Sequence, residues 1–379
     1  MPEIDGLRFI AIATVVLFHI KVFLDAKDKH VYSDLLDYSS LKYVVSHGHL
    51  GVMLFFVISG FILGLPFAKH QLNHEKPVSL KKYFLKRITR LEPPYIVAMT
   101  VLFFGAVYVA KSLTLKWGLI SYLSSITYTH NLFFPNQLPF LNVSAWSLEV
   151  EIQFYLLAPL MAYVYRIKSA QSRRALLSAT AILCVIHDCF NPMPFLSLIS
   201  FMQFFLMGYL LADLYVSKET IFPRTKFDPI IGFCFFCLIW LFDKQDFTSP
   251  FLMAGWEIIQ LGAMFFFYYY VLFHQVFKWL WLPYITNIGG MCYSIYLLHF
   301  PIISVVGNPL MNISFTSYAF INTSIYAIVL IGSILAISSV FYLLIERPCM
   351  DSNWYRKIFR RKQAVDSKVK ISAESMNVQ

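Results

Sequence analysis

Apolar residues run along this chain in blocks of about 20, recurring from Leu7 to Ile345 with no long polar interval between them. A block of that length is what an α-helix needs to cross the ~30 Å hydrocarbon core of a bilayer. Ten such blocks are legible, approximately at 5–25, 49–68, 94–112, 150–167, 174–190, 196–216, 228–243, 251–275, 286–307 and 318–345. The pattern predicts an all-α, polytopic membrane helix bundle over residues 1–348, followed by a basic cytoplasmic tail at 349–379. The first block follows Met-Pro-Glu with no basic leader and no small-residue cleavage site beyond it, so it is expected to be a retained helix. The stretch Trp117 to Phe134 is interrupted by Ser121, Ser124, Ser125, Thr127, Thr129, His130 and Asn131. It is expected in an outer loop, lying on the membrane or re-entering a protein-lined cavity.

Composition agrees with the pattern. The apolar set makes up 58% of the chain and charged residues only 14%, against roughly 45–50% and 25% in soluble domains. The formal charge of +10 is explained by topology, because Lys and Arg gather in cytoplasmic loops; nucleic acid is not expected as a partner. With ten spans and an inside N-terminus, 23 of the 31 basic residues fall on the cytoplasmic side and seven outside, Arg8 lying within the first block. That bias places both termini in the cytoplasm. The tail carries YRKIFRRK at Tyr355 to Lys362, which is expected to lie on anionic headgroups before the chain loses order. Five of the six cysteines lie inside apolar blocks, where a small hydrophobe is the ordinary reading. The Cys234/Cys237 pair lacks the second ligand pair a zinc site needs, so no metal is expected. No phosphate-binding glycine loop is present, which counts against a nucleotide-driven pump.

Ionisable side chains inside apolar helices are costly and mark function by default. Arg8 and His19 are eleven residues apart, so they leave one helix on the same face, about 16 Å apart along its axis. His19 is either a packed, satisfied histidine or a general base, since imidazole changes charge near neutrality. His299 reaches nearly the same depth from the start of the ninth block; an imidazole bonded to a neighbouring helix and a site role are equally open. In the fourth block Ser147, Glu151 and Tyr155 share a face, while Glu149 points elsewhere. Glu151 is the candidate to orient a histidine, although a carboxylate at a helix head also complements the dipole. Lys82, Lys86, Arg87 and Arg90 form a basic helical face before the third block. Positive-inside topology accounts for it, and so does a clamp for a phosphorylated cytosolic ligand.

These same residues carry a resemblance to the acyltransferase-3 family of membrane proteins, which move acyl groups, mostly acetyl, from cytosolic acyl-coenzyme A to carbohydrates and related acceptors. DGLR at Asp5 to Arg8 with His19 resembles the family's opening signature, and GVMLFFVISGFIL at Gly51 to Leu63 its second-helix motif. RITRLEPPY at Arg87 to Tyr95, WSLEVEIQFY at Trp146 to Tyr155, YSIYLLH at Tyr293 to His299 and the closing Glu346-Arg347-Pro348 are similar to its later motifs. The likeness covers roughly residues 3 to 348, and the chain is expected to be the stand-alone form, without the extracytoplasmic hydrolase-like domain that other members often carry. It implies an acetyl-CoA dependent O-acetyltransferase of the bacterial cytoplasmic membrane that modifies a cell-surface polysaccharide or glycolipid. It further implies His19 as catalytic residue, Arg8 as its companion, and Arg87 with Arg90, flanked by Lys86 and Lys82, as the contact to the coenzyme's phosphates. Glu151 would fix the histidine by triad logic. Ser59, Asn131, Tyr293 and His299 are nominated as substrate or oxyanion contacts, Ser59 having an equally good reading as a small residue at a helix contact. A transporter or flippase of a sugar or lipid-linked substrate is the alternative, since buried Arg, His and Glu also mark substrate paths. Acyl-CoA, a carbohydrate acceptor and membrane lipids are the expected partners; the oligomeric state is open.

Overall fold

The computed structural model describes residues 1–27, 45–351 and 354, and no strand occurs among the described residues. The expected tail therefore lies almost wholly outside them. The long helices are α1 (Pro2–Lys27), α2 (Gly51–Asn73), α3 (Leu80–Phe104), α4 (Leu115–Ile126), α5 (Trp146–Met161), α6 (Ala170–Phe190), α7 (Leu198–Ser217), α8 (Asp228–Ile239), α9 (Pro250–Leu272), α10 (Pro283–Gly290), α11 (Cys292–Leu310) and α12 (Ala319–Phe341). All ten apolar blocks are helical, and seven of the resulting helices are long and apolar enough to cross a membrane: α1, α2, α3, α7, α9, α11 and α12. The other three blocks became α5, which runs on into a turn ending at Arg166, the polar-headed α6, and α8, only 12 residues long.

Two blocks differ from expectation in form. The third helix begins at Leu80, where Ser79 Oγ accepts from the Lys82 amide as an N-cap. The basic run is thus the opening of α3 itself; hydropathy hides those turns because their side chains are charged. The ninth block is two helices, parted at Met291. Here the backbone of α1 passes so close that a Cβ on Gly289 would lie 1.8 Å from the Asp5 carbonyl oxygen. The stretch Trp117 to Phe134 forms α4 and a further turn, and α4 packs on α3, with Tyr95 Oη donating to the Ser125 carbonyl.

The bundle is organised around α7, which is buried on nearly every side. It lies backbone to backbone on α2, and the contact is reciprocal. A Cβ on Gly60 would meet the Phe205 carbonyl oxygen at 2.3 Å, and one on Gly208 the Val57 carbonyl oxygen at 2.3 Å. Small residues at such a crossing let dispersion act between whole helices where lipid removes the hydrophobic driving force. Several charges sunk into the bundle are paired. Arg173 and Arg174 both bond Asp213 on α7, and Lys244, in the turn between α8 and α9, bonds Asp188 at 2.5 Å and Glu257 at 3.0 Å. Burial alone would lower the Lys244 pKa; Glu257 and Asp188 outweigh it and hold the ammonium above the usual lysine range. The same turn presents Asp243 to His49 at the head of α2, at 2.5 Å.

Candidate active site

Helices α1, α2, α3, α5 and α11 enclose a cavity of about 100 Å³. Three guanidinium groups line it, from Arg8 on α1 and from Arg87 and Arg90 on α3, together with Glu151 and Tyr155 on α5, Ser59 on α2, and Cys292 and Tyr293 on α11. Each side chain is there for a helical reason. Ser147, Glu151 and Tyr155 repeat every four residues, so one stripe of α5 faces the space. Arg87 and Arg90, three apart, are the half-buried members of the basic run.

Inside the cavity Glu151 is the hub. Its carboxylate accepts from Ser59 Oγ at 2.5 Å and from Tyr155 Oη at 2.5 Å, and the Arg87 guanidinium sits over the Tyr155 ring at 5.7 Å. Arg8 donates to Asp5 at 2.8 Å. Tyr293 Oη donates to the Leu91 carbonyl. The Nε of Arg90 is buried and has no bonding partner among the described residues, so one strong donor is held ready in a slot lined by cations. A space lined by three guanidiniums and one carboxylate favours an anion, and guanidinium geometry suits phosphate or carboxylate oxygens.

His19 is not part of this lining. It lies nearer the far end of α1, with Nδ1 3.0 Å from the Val15 carbonyl oxygen and 3.2 Å from Nε2 of His299. The two imidazole rings are 4.9 Å apart, and Phe300 meets His19 edge-on at 5.5 Å. Equal depth on two parallel helices was legible from residue counting, and here the rings touch. Between cavity and histidines stands Tyr296, which lines the former and packs on the His299 ring. Its hydroxyl donates to the Ser144 carbonyl at 2.9 Å and lies 2.6 Å from Ser147 Oγ.

Several expected placements differ. Glu151 bonds Ser59 and Tyr155, and no bond joins it to a histidine among the described residues, because its stripe of α5 faces the cavity rather than α1's far end. Lys82 and Lys86 are exposed toward the N-terminus of α3 and stay outside the lining. Asn131 is buried with its backbone N–H donating to Glu149, away from the cavity. Sequence reading passed over Ser144, and Tyr296 as the link between the two clusters. Its signal was available in the YSIYLLH stretch, where Tyr296 precedes His299 by three residues and therefore lies beside it. Glu346, the head of Glu346-Arg347-Pro348, is fully buried and accepts from the Ser294 hydroxyl and amide.

The polytopic helix bundle thus carries a cationic slot at one end and a histidine pair toward the other. The profile of the acyltransferase-3 family, described as an acyltransferase domain, matches residues 1–343, and the chain belongs to that family. Among curated proteins it is similar to O-acetyltransferase OatA of Staphylococcus aureus strain NCTC 8325, with 26% identity over 380 residues, covering 92% of this chain and 57% of that protein. The same figures hold for O-acetyltransferase OatA of strain COL. The chain thus spans little more than half the length of these relatives. No solved structure matches it significantly.

Proposed function

We propose that this integral membrane acyltransferase moves an acetyl group from cytosolic acetyl-CoA to a hydroxyl of a carbohydrate on the outer side of the bacterial cytoplasmic membrane. The observation that carries the reading is the placement along α1: Arg8 lines the cationic cavity, and His19 sits about 16 Å farther along the same helix. The coenzyme's phosphates bind to Arg87 and Arg90 at the cytosolic end, with the nucleotide left outside a cavity too slim for it. The pantetheine arm extends past Tyr296 and brings the thioester to His19. The resemblance of the curated relatives supports O-acetyl transfer as the chemistry.

In this reading an unprotonated ring nitrogen of His19 takes the proton of the acceptor hydroxyl as its oxygen attacks the thioester carbonyl carbon. The tetrahedral intermediate collapses with cleavage of the carbon–sulfur bond, and the imidazolium returns its proton to the departing thiolate. An acetyl ester and free coenzyme A result. The relay through an acyl-histidine is the variant of the same chemistry.

The test is transfer of labelled acetyl from acetyl-CoA to the alkali-labile carbohydrate fraction of membrane vesicles, with native protein and His19→Ala at equal abundance. The expected result is label that depends on His19. No label from native protein in acceptor-rich membranes would move the assignment to transport; label surviving His19→Ala would keep the enzyme and remove the base.

A further inference from the structure

We propose that His299 is a positioning residue that fixes the tautomer and the ring orientation of His19. The inference rests on His19 being the base of the proposed reaction, and its argument is a proton count through two imidazoles. His299 is fully buried, and its Nδ1 lies 3.1 Å from the Ile295 carbonyl oxygen and 2.9 Å from that of Tyr296. Carbonyl oxygens only accept, so Nδ1 carries the proton. No carboxylate bonds this ring among the described residues, and an unpaired buried imidazolium is costly, so the ring is neutral and its Nε2 holds a lone pair.

That lone pair faces Nδ1 of His19 at 3.2 Å. Two lone pairs do not meet at that distance, so Nδ1 of His19 must carry the hydrogen. The Val15 carbonyl oxygen, 3.0 Å from the same atom, demands the same proton independently. Nε2 of His19 is therefore left unprotonated, and it is the nitrogen a general base needs. Ser144 Oγ, 3.5 Å from the same Nε2 of His299, meets that lone pair as a second donor; the carbonyls of its own helix set the His299 tautomer, and that tautomer sets the next. Phe300, edge-on to His19 at 5.5 Å, limits rotation of the ring out of line. In a Ser-His-Asp triad the carboxylate orients the histidine; here a neutral imidazole acts as the acceptor. Glu151, bonded to Ser59 and Tyr155, is left free to serve the cavity.

The test uses the full chain in lipid nanodiscs, with ¹⁵N-labelled histidine, comparing native protein, His299→Leu, His299→Gln and His19→Ala. His19 signals are identified by their loss in His19→Ala. The expected spectrum shows a protonated Nδ1 and an unprotonated Nε2 for His19 in native protein, and a mixture of tautomers in His299→Leu. In the transfer assay His299→Leu should lower kcat about tenfold or more, up to the ~10²–10⁴-fold that general base catalysis supplies, with KM for acetyl-CoA unchanged because His299 does not line the donor cavity. His299→Gln, whose Oε1 restores an acceptor, should recover most of the rate and the native tautomer. A protonated Nε2 on His19 in native protein overturns the proposal, as does His299→Leu with native kcat and native tautomer. Loss of rate that His299→Gln does not recover, with the tautomer unchanged, makes His299 merely structural and also overturns it. Full activity in His19→Ala would sink the catalytic reading separately, leaving the tautomer measurement to be judged alone.

Discussion

Arg87 and Arg90 sit in the cavity lining while Lys82 and Lys86, from the same run, stay exposed, so the four residues should separate in a binding measurement. Arg87→Ala or Arg90→Ala should raise KM for acetyl-CoA about tenfold to a hundredfold, the range of a lost hydrogen bond to a charged group. Lys82→Ala and Lys86→Ala should change it by less than about twofold, since exposed ion pairs contribute little. Equal effects from all four, in initial rates at saturating acceptor, would mean a diffuse field rather than a clamp. Lys244 makes a structural prediction. Glu257, 2% exposed, is ion-paired with that ammonium at 3.0 Å, so Lys244→Met, which removes one partner of a buried pair, should destabilise the fold by about 3–5 kcal/mol. A large fall in the thermal midpoint of the detergent-solubilised protein is the expected outcome.

Helix α7 owes its central place to the two glycines at its crossing with α2, and the contact should fail from either side. Gly60→Leu and Gly208→Leu each drive a side chain into a facing carbonyl, beyond what core repacking absorbs at about 1–3 kcal/mol; both variants should lose folded protein by size-exclusion chromatography, while Gly255→Ala, with open space at its Cβ, should not. At this scale most of the fold was legible before any coordinates: hydropathy located all ten helical blocks, because lipid demands long apolar runs. It misplaced the start of α3, whose opening turns are cationic, and it missed the break at Met291, which follows from α1 crossing Gly289, a contact between distant parts of the chain. The candidate site divides in the same way. Spacing within one helix foresaw the Ser147, Glu151, Tyr155 stripe and the level depth of His19 and His299. The partner of Glu151 was not foreseen, because Ser59 and Glu151 are 92 residues apart and helical periodicity says nothing about which helix stands opposite.

For the whole molecule, ten spans with both termini inside can be checked by thiol labelling. In a cysteine-free background, Lys76→Cys, between α2 and α3, should be shielded from a membrane-impermeant reagent in intact cells, and Lys116→Cys, at the head of α4, should react; the reverse pattern would invert the topology. The position of Tyr296 has a further consequence. Its ring stands between the donor cavity and the histidine pair, edge-on to Phe55 at 6.2 Å and tied by its hydroxyl to Ser144 and Ser147. An energised membrane stores work as an ion gradient, and a protein bored through from both faces would discharge it. In the proposed reaction Tyr296 and Phe55 would serve as an electrical seal, passing a tethered acyl chain but no water-filled path. Vesicles containing the native protein should hold an imposed pH gradient, and vesicles containing Tyr296→Ala should lose it faster, so that for this protein insulation is as much a part of the design as transfer.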